Sequence, residues 1–234
     1  MLKILIIVNA EVKDTGELIL ASPATETMVA SLRKAISHST SQPIKVEIIA
    51  NSSLWSQTLI KPGNNQSLIY CPLTITLPGS FNFPASELYQ ACQQIEARRA
   101  WVAKNLGYRV GINNSWFGNL WLPIILTAKG PIYGEVIGEG VLPNSYEQPI
   151  DLPDQHRQAL YNLAYKLLDS LSAQPSVYLL QFGWQEQQVI FDRLWPFPAA
   201  PAIASLRVQQ PDLFTCYWHC LTNKPLGDIL ILGG

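Results

Sequence analysis

The chain has 234 residues, of which 48% are hydrophobic and 14% are charged, and its formal net charge is -1. Soluble domains carry about 25% charged residues, so either the chain buries an unusually large core or a partner covers part of its surface. The simplest such partner is a second copy of the chain. No run of Lys or Arg exceeds two residues. This argues against a nucleic-acid-binding protein, because phosphate contacts need clustered basic charge.

The sequence also predicts the compartment in which the protein works. No stretch approaches the roughly 18–20 apolar residues that cross a bilayer. The apolar start from Met1 to Val8 is followed at once by Glu11 and Lys13, and it has no basic leader. The four cysteines are scattered, and in a chain without an export signal reduced thiols are the default. We therefore expect a cytoplasmic protein without a transmembrane segment.

The first part of the chain predicts a strand–helix–strand unit. The apolar run from Leu2 to Val8 is typical of a strand buried on both faces. Ser22-Pro23 predicts the start of a helix, with Ser as the N-cap and Pro at the first helical position. Lys45 to Ala50 predicts the second strand, so the unit has the order of a parallel crossover. Ser67 to Cys71 predicts a third strand before a proline-rich loop.

The second part predicts helices and a mixed set of strands, from the spacing of apolar residues and from the turn residues between them. The predicted elements are a long helix from Pro84 to Leu106, strands at Leu122 to Thr127 and Gly134 to Ile137 with a turn at Lys129-Gly130-Pro131 between them, a helix from Pro153 to Leu171, a hairpin of Val177 to Phe182 and Gln188 to Leu194, a helix from Asp212 to Leu221, and a strand at Asp228 to Leu232. The fold class is therefore mixed α/β. We expect residues 1–83 and 84–234 to form two parts packed as one compact unit.

Most of the familiar catalytic motifs are absent. The turn after the first strand, Asn9 to Val12, holds no glycine, so the backbone approach that a dinucleotide or phosphate loop needs is missing. There is no G-x-S-x-G elbow. Cys216 and Cys220 share one face of a predicted helix, but no second cysteine pair completes a zinc site. Buried core thiols are the favoured interpretation of these two residues.

Two constellations leave a choice open. Trp116 and Trp121 lie beside Asn113 and Asn114, and such aromatics line a ligand cleft, anchor an interface or cover the end of a core. Asp192 and Arg193 stand near the end of an apolar strand that Trp195 closes. Buried charges need partners, so this pair either reaches a cleft or belongs to a structural ion pair.

Several segments resemble, in order, the carboxy-terminal half of ATP-grasp enzymes, in particular of carboxyaminoimidazole ribonucleotide synthetases. Gln94 to Gly107 is similar to the helix with the family's D-R…K…L-G pattern. The helix from Pro153 and the hairpin from Val177 to Leu194 are similar to the helix and paired strands that carry the metal-binding acids. Asp212 to Asp228, with Pro225-Leu226-Gly227, resembles the closing S-Q-F-E…P-L-G stretch. The resemblance covers residues 90–234, with gaps.

The departures from this family concern the residues that hold its metal. The resemblance places the first metal-binding acid on Leu180 or Gln181, and neither supplies the anionic oxygen that Mg²⁺ prefers. It places the second acid on Asp192, beside a repelling Arg193. The His and Arg of the closing motif fall on Tyr217 and His219.

The lobe that grips the nucleotide is also reduced. Leu122 to Thr127 resembles the strand that carries a phosphate-binding lysine, but the lysine position holds Thr127, and Lys129 lies two residues on. Gly134 to Gly140, which includes Glu135 and Glu139, would be the remnant of the glycine-rich flap. The resemblance therefore implies that most of this lobe has been deleted.

These departures lead us to expect a non-catalytic ATP-grasp-derived protein that binds a protein partner or a small ligand, without catalytic residues, metal or cofactor. One alternative is an ATP-dependent carboxylate–amine ligase with ATP and Mg²⁺, in which Asp192, Glu135 or Glu139, and Lys129 supply the charges that phosphoryl transfer needs. Another is a subunit or assembly factor of a larger complex. The candidate ligand-binding residues are Lys129, Glu135, Gln181, Asp192, Arg193 and His219, and the candidate interface or cleft aromatics are Trp116, Trp121 and Trp195.

Overall fold

A computed structural model describes residues 2–39, 43–55, 68–112, 118–186 and 188–232 of the chain. The strands in these ranges are β1 (Leu2–Val8), β2 (Glu11–Val12), β3 (Leu18–Ile19), β4 (Ile44–Ala50), β5 (Leu68–Pro72), β6 (Arg109–Val110), β7 (Leu120–Thr127), β8 (Gly130–Tyr133), β9 (Val136–Glu139), β10 (Tyr146–Ile150), β11 (Ser176–Gln185), β12 (Gln188–Trp195), β13 (Gln209–Gln210) and β14 (Leu230–Ile231). The helices are α1 (Pro23–His38), α2 (Ser86–Gln93), α3 (Ile95–Leu106), α4 (Asp154–Ser170), α5 (Ser205–Val208) and α6 (Leu213–Leu221), with 3₁₀ turns at Asn51–Trp55 and Ala200–Ala204.

The amino-terminal part is built on a parallel three-stranded sheet of order β4-β1-β5. Residues Ile4 to Val8 of the central strand are fully buried, because an apolar run in a central parallel strand is covered on both faces. The helix α1 begins as predicted: the Ser22 hydroxyl accepts a hydrogen bond from the Thr25 amide at 3.1 Å, and Pro23 is the first helical residue.

The carboxy-terminal part is built on a mixed seven-stranded sheet of order β10-β9-β7-β11-β12-β6, with β8 also paired to β7. The predicted helix at residues 153–171 and the predicted hairpin of β11 and β12 are both confirmed. The turn after β7 consists of Ala128 and Lys129, so the predicted turn at residues 129–131 is wrong in part, because Gly130 and Pro131 already pair with β7 in the strand β8. The strand predicted at Gly134 to Ile137 begins only at Val136. The chain therefore has the mixed α/β fold class that the sequence predicts, and the helix α6 packs between α1 and this sheet.

The hairpin of β11 and β12 contains an irregularity that places one charged residue. Gln181 pairs with Arg193 and Phe182 pairs with Phe191, so Asp192 has no opposite residue on β11. This is the geometry of a β-bulge, which bends a strand and re-aims a side chain. Asp192 therefore lies outside the regular strand pairing of β11 and β12.

The predicted single helix from Pro84 to Leu106 is wrong, because the structure has two helices that meet at Gln94. The Gln93 side-chain amide donates to the carbonyl oxygen of Leu77 at 3.0 Å and also bonds that of Ile75, which fixes the end of α2 on the preceding loop. Tertiary contacts of this kind override local helix propensity. The helix α3 then continues in its own direction, packs on β12, and ends at Gly107 as predicted, with a positive φ of 72°.

One buried cluster of hydrophobic side chains includes residues of both sheets and of the helices between them. It accounts for much of the apolar composition without a partner. The boundary between two parts of the chain at residue 83 stays a prediction, and so does the association of two copies of the chain. Within the described ranges, no helix is long and apolar enough to cross a membrane.

Candidate functional site

The carboxylate of Asp192 lies at the centre of a buried polar cluster, which we call the Asp192 cluster and which consists of Arg99, Gly118, Gln181, Asp192 and Trp195. Asp192 is 0% exposed and Arg99 is 2% exposed. The Arg99 guanidinium forms a short ion pair with Asp192 Oδ1 and donates from Nε to the Asp192 carbonyl at 3.1 Å. The Gly118 amide donates to the other carboxylate oxygen, Oδ2, at 2.7 Å. Both carboxylate oxygens are therefore engaged by the protein itself.

The neighbouring Gln181 uses both ends of its side-chain amide within the same cluster. Its Nε2 donates to the Gly118 carbonyl, and its Oε1 accepts a hydrogen bond from Trp195 Nε1 at 2.9 Å. Arg193 lies at the edge, with its guanidinium over the Trp195 ring at 5.7 Å and its Nε 3.3 Å from Asp192 Oδ1. The open choice between a cleft and a structural ion pair is thus decided for Asp192, which pairs with Arg99.

The Asp192 cluster does not fit a magnesium ion with its nucleotide. Magnesium takes anionic oxygen ligands that are free to coordinate, but Gln181 is neutral and the Asp192 carboxylate is already bound to a guanidinium and an amide. Across the described ranges, no group of three or more His, Cys, Asp or Glu side chains is placed to hold a metal. The residues of the Asp192 cluster link α3, β11, β12 and the chain at Gly118 to one another, and they support no metal-dependent step.

Gln181→Glu tests this assignment by placing a carboxylate where the resemblance expects one. We expect a loss of about 2–3 kcal/mol in the free energy of unfolding, because the new oxygen faces the Gly118 carbonyl in a buried position without a donor. Urea denaturation measures the loss, and it should shrink at acid pH, where a protonated carboxyl can donate again. The matched control is Gln185→Glu, an exposed position of the same strand. Equal effects of the two changes would contradict the assignment.

Two other predicted residues lie together in a second place, which we call the cationic cleft. Lys129 from the β7–β8 turn, His219 from α6 and Lys224 line a cleft of about 410 Å³. The His219 Nδ1 atom lies 3.0 Å from the Pro225 carbonyl oxygen, and since a carbonyl only accepts, this nitrogen donates. The Lys224 ammonium group donates to the Ser39 carbonyl. The cleft therefore places Lys129 close to His219 and Lys224, which are distant from it in the sequence.

Glu135 belongs to neither place. Arg157 of α4 donates from Nη1 to Glu135 Oε2 at 2.9 Å and from Nη2 to Asp151 at 3.1 Å. The hydrogen bond with Glu135 raises the pKa of Arg157 above its usual value. Glu135 thus ties the segment before β9 to α4, which is a structural contact.

The predicted aromatics are divided among different environments. Trp195 belongs to the Asp192 cluster, while Trp121 is buried and packs edge-on against Tyr146 with ring centroids 5.5 Å apart. The third, Trp116, lies outside the described residues, as do Asn113 and Asn114. Trp121 therefore belongs to the buried hydrophobic cluster.

The buried cysteines Cys216 and Cys220 are held in the thiol form. Cys216 and Cys220 of α6 are both buried, and burial raises the pKa of Cys220 to about 12 and that of Cys216 still further above its usual value. A thiol is reactive, or ligates a metal, as the thiolate. These residues behave as the core thiols that the sequence favoured.

A further cavity was not predicted from the sequence. It measures about 860 Å³ and lies between the start of α1, the β9–β10 connection and residues 203–208. Gln148 lines it at 8% exposure, and its Oε1 has no hydrogen-bond partner in this part of the chain. Its lining holds one acid, Glu147, and one strong base, Arg207. This cavity, too, lacks the grouped carboxylates that a metal-bound nucleotide requires.

Sequence reasoning missed Arg99, Gly118 and Gln148. An arginine is usually expected to face water, but a signal for the burial of Arg99 existed: it follows Ile95 by four residues and precedes Val102 by three, so it lies on the apolar face of its helix. Gly118 and Gln148 carry no comparable signal, because their roles depend on contacts with distant residues.

No model of a protein family matches the chain, and no curated protein sequence matches it. Solved structures do match. Glycinamide-RNase-transformylase T from Mycobacterium tuberculosis is 12% identical with a TM-score of 0.63, and the alignment covers 96% of this chain and 80% of that one. An ADP complex of N5-carboxyaminoimidazole ribonucleotide synthetase is 11% identical with a TM-score of 0.68, covering 98% and 79%. The same synthetase from Thermotoga maritima is 10% identical with a TM-score of 0.63, covering 97% and 77%.

At these identities the likeness concerns the fold. It extends over nearly the whole chain, whereas the sequence resemblance is confined to residues 90–234, so the amino-terminal sheet also has a counterpart in those enzymes. The protein has a reduced ATP-grasp-like fold.

Proposed function

We propose that this protein is a non-catalytic member of the ATP-grasp-like fold that acts by binding a protein partner or a small ligand. The observation that carries the proposal is the Asp192 carboxylate, which is fully buried and held by Arg99 and Gly118. Phosphoryl transfer depends on metal ions and cations positioned around the phosphates. A carboxylate locked in an internal ion pair contributes nothing to that arrangement.

The alternative function, an ATP-dependent carboxylate–amine ligase, would need Asp192, Lys129 and either Glu135 or Glu139 around one nucleotide. Three of these side chains have different neighbours in the structure: Asp192 contacts Arg99, Glu135 contacts Arg157, and Lys129 lines the cationic cleft. This separation favours the binding role over the ligase.

Calorimetric titration with ATP, in the presence and absence of Mg²⁺, tests the proposal directly. We expect no magnesium-dependent binding at millimolar nucleotide, because the described residues offer the ion no free carboxylate cluster. Release of ADP with mixed carboxylates and amines should stay at the level of the buffer. Magnesium-dependent binding that weakens on Asp192→Asn, without a matching loss of thermal stability, would overturn the proposal in favour of the ligase.

A further inference from the structure

Two surface cavities share a wall formed by Pro175, Cys220 and Asn223. One is the cationic cleft described above. The other, which we call the apolar groove, measures about 380 Å³ and lies beside β5, where Leu68, Tyr70, Phe83, Leu88, Tyr89 and Tyr178 line it. Sites for small molecules range from about 300 to 1,000 Å³, so each cavity is of a size that accepts part of one small molecule.

The apolar groove presents mainly carbon to an occupant. Among the described residues, no charged side chain lines it. The Tyr178 hydroxyl donates to the Gln174 carbonyl at 2.6 Å, and the Tyr89 hydroxyl bonds the carbonyls of Pro72 and Pro196, so the polar ends of these rings are turned towards the protein. Burial also holds the pKa of Tyr89 well above its usual value, which keeps this ring neutral. The Ser176 hydroxyl, on a residue 7% exposed, makes no hydrogen bond within the described residues and is one of the polar groups that line the groove.

The cationic cleft has the opposite character. Lys129, His219 and Lys224 line it together, and no Asp or Glu of the described ranges belongs to its lining. A cleft lined by one sign of charge raises the local concentration of ions of the other sign. Its natural occupant is an anionic group, and the apolar groove begins on the other side of Asn223.

We propose that the apolar groove and the cationic cleft together bind a small amphiphilic carboxylate, with its hydrocarbon part in the groove and its carboxylate near Lys129 and Lys224. This inference rests on the proposed binding role and names a ligand class for it. It does not depend on the outcome with nucleotides, because neither cavity contains a member of the Asp192 cluster.

The first test titrates the full chain with decanoate, and with 1-decanol and decyltrimethylammonium as the uncharged and cationic controls. We expect decanoate to bind up to about fivefold more tightly than either control, since a partly exposed charge pair contributes at most about that factor. Raising the NaCl concentration should weaken decanoate and leave decanol unchanged, because salt screens exposed charges. Equal affinities for the three probes, or no binding of decanoate, would overturn the proposal and leave the nucleotide result as it stands.

The second test separates the two cavities by substitution. Lys129→Gln should weaken decanoate by about threefold to fivefold and leave decanol unchanged, whereas Lys104→Gln, an exposed lysine of α3, should change neither. Ala85→Phe places a ring in the apolar groove and should abolish the binding of both probes. If Lys129→Gln and Lys104→Gln behave alike, or if the folded Ala85→Phe protein binds decanoate normally, the proposed site is wrong.

Discussion

Arg99→Met is expected to lower the free energy of unfolding by about 3–5 kcal/mol, the usual cost of removing one partner of a buried ion pair. The loss comes from Asp192, which would remain fully buried with only the Gly118 amide and the more distant Arg193 guanidinium to offset its negative charge. Methionine keeps the length and the apolar stem of the side chain, so the change removes mainly the charge and its hydrogen bonds. Urea denaturation followed by circular dichroism measures the effect.

The matched control for this prediction is Lys104→Met, which removes a cation from an exposed position of the same helix. Surface changes of this kind usually stay within about 0.5 kcal/mol. The double variant Arg99→Met with Asp192→Leu should recover part of the stability, because replacing both partners of a buried pair by apolar residues is often nearly neutral. A loss no larger for Arg99→Met than for Lys104→Met would mean that Asp192 does not depend on its arginine.

Gly118→Ala is the second change with a large expected effect. A Cβ atom at this position would lie 2.4 Å from the Phe182 carbonyl oxygen, which belongs to the backbone of β11. The chain at residue 118 would have to move, and it would then lose its amide bond to Asp192 and its carbonyl bond from Gln181. We expect a destabilisation of about 3 kcal/mol or more, from overpacking together with the lost hydrogen bond to a charged group.

Gly227→Ala is the control for Gly118, because a Cβ atom there meets nothing within 4 Å. It should leave the thermal midpoint nearly unchanged, while Gly118→Ala lowers it by many degrees. Equal midpoints for the two variants would show that the chain at residue 118 accepts a side chain, and the close approach to β11 would lose its role in the Asp192 cluster.

Much of the fold follows from local patterns. The strand β1 is a continuous apolar run, α4 has its leucines on one face, and α1 has a Ser-Pro start, so the physical cause of each element lies within its own segment. The break between α2 and α3 has no such local cause. It depends on the contacts of Gln93 with two carbonyl groups that lie 18 and 16 residues earlier in the chain, and spacing within the helix does not encode these contacts.

The candidate site was predictable only in part. The doubtful status of a metal site followed from Gln181 alone, because an amide stands where the resemblance expects an acid. The partner of Asp192 did not follow, because Arg99 lies 93 residues away and carries a charge that usually faces water. The grouping of Lys129 with His219 likewise depends on the packing of α6 beside the β7–β8 turn.

The outer side of β5 bears on whether the protein self-associates. This strand is an edge of its sheet within the described residues, and an exposed edge is a template on which other molecules add strands and aggregate. Its last residue, Pro72, has no amide hydrogen to offer an incoming strand, and the hydroxyls of Tyr89 and Tyr217 already occupy the proline carbonyl. At the end of this edge, the backbone therefore offers no free hydrogen-bonding group to an incoming strand. This limits the addition of strands in a chain that has few charged side chains for electrostatic repulsion.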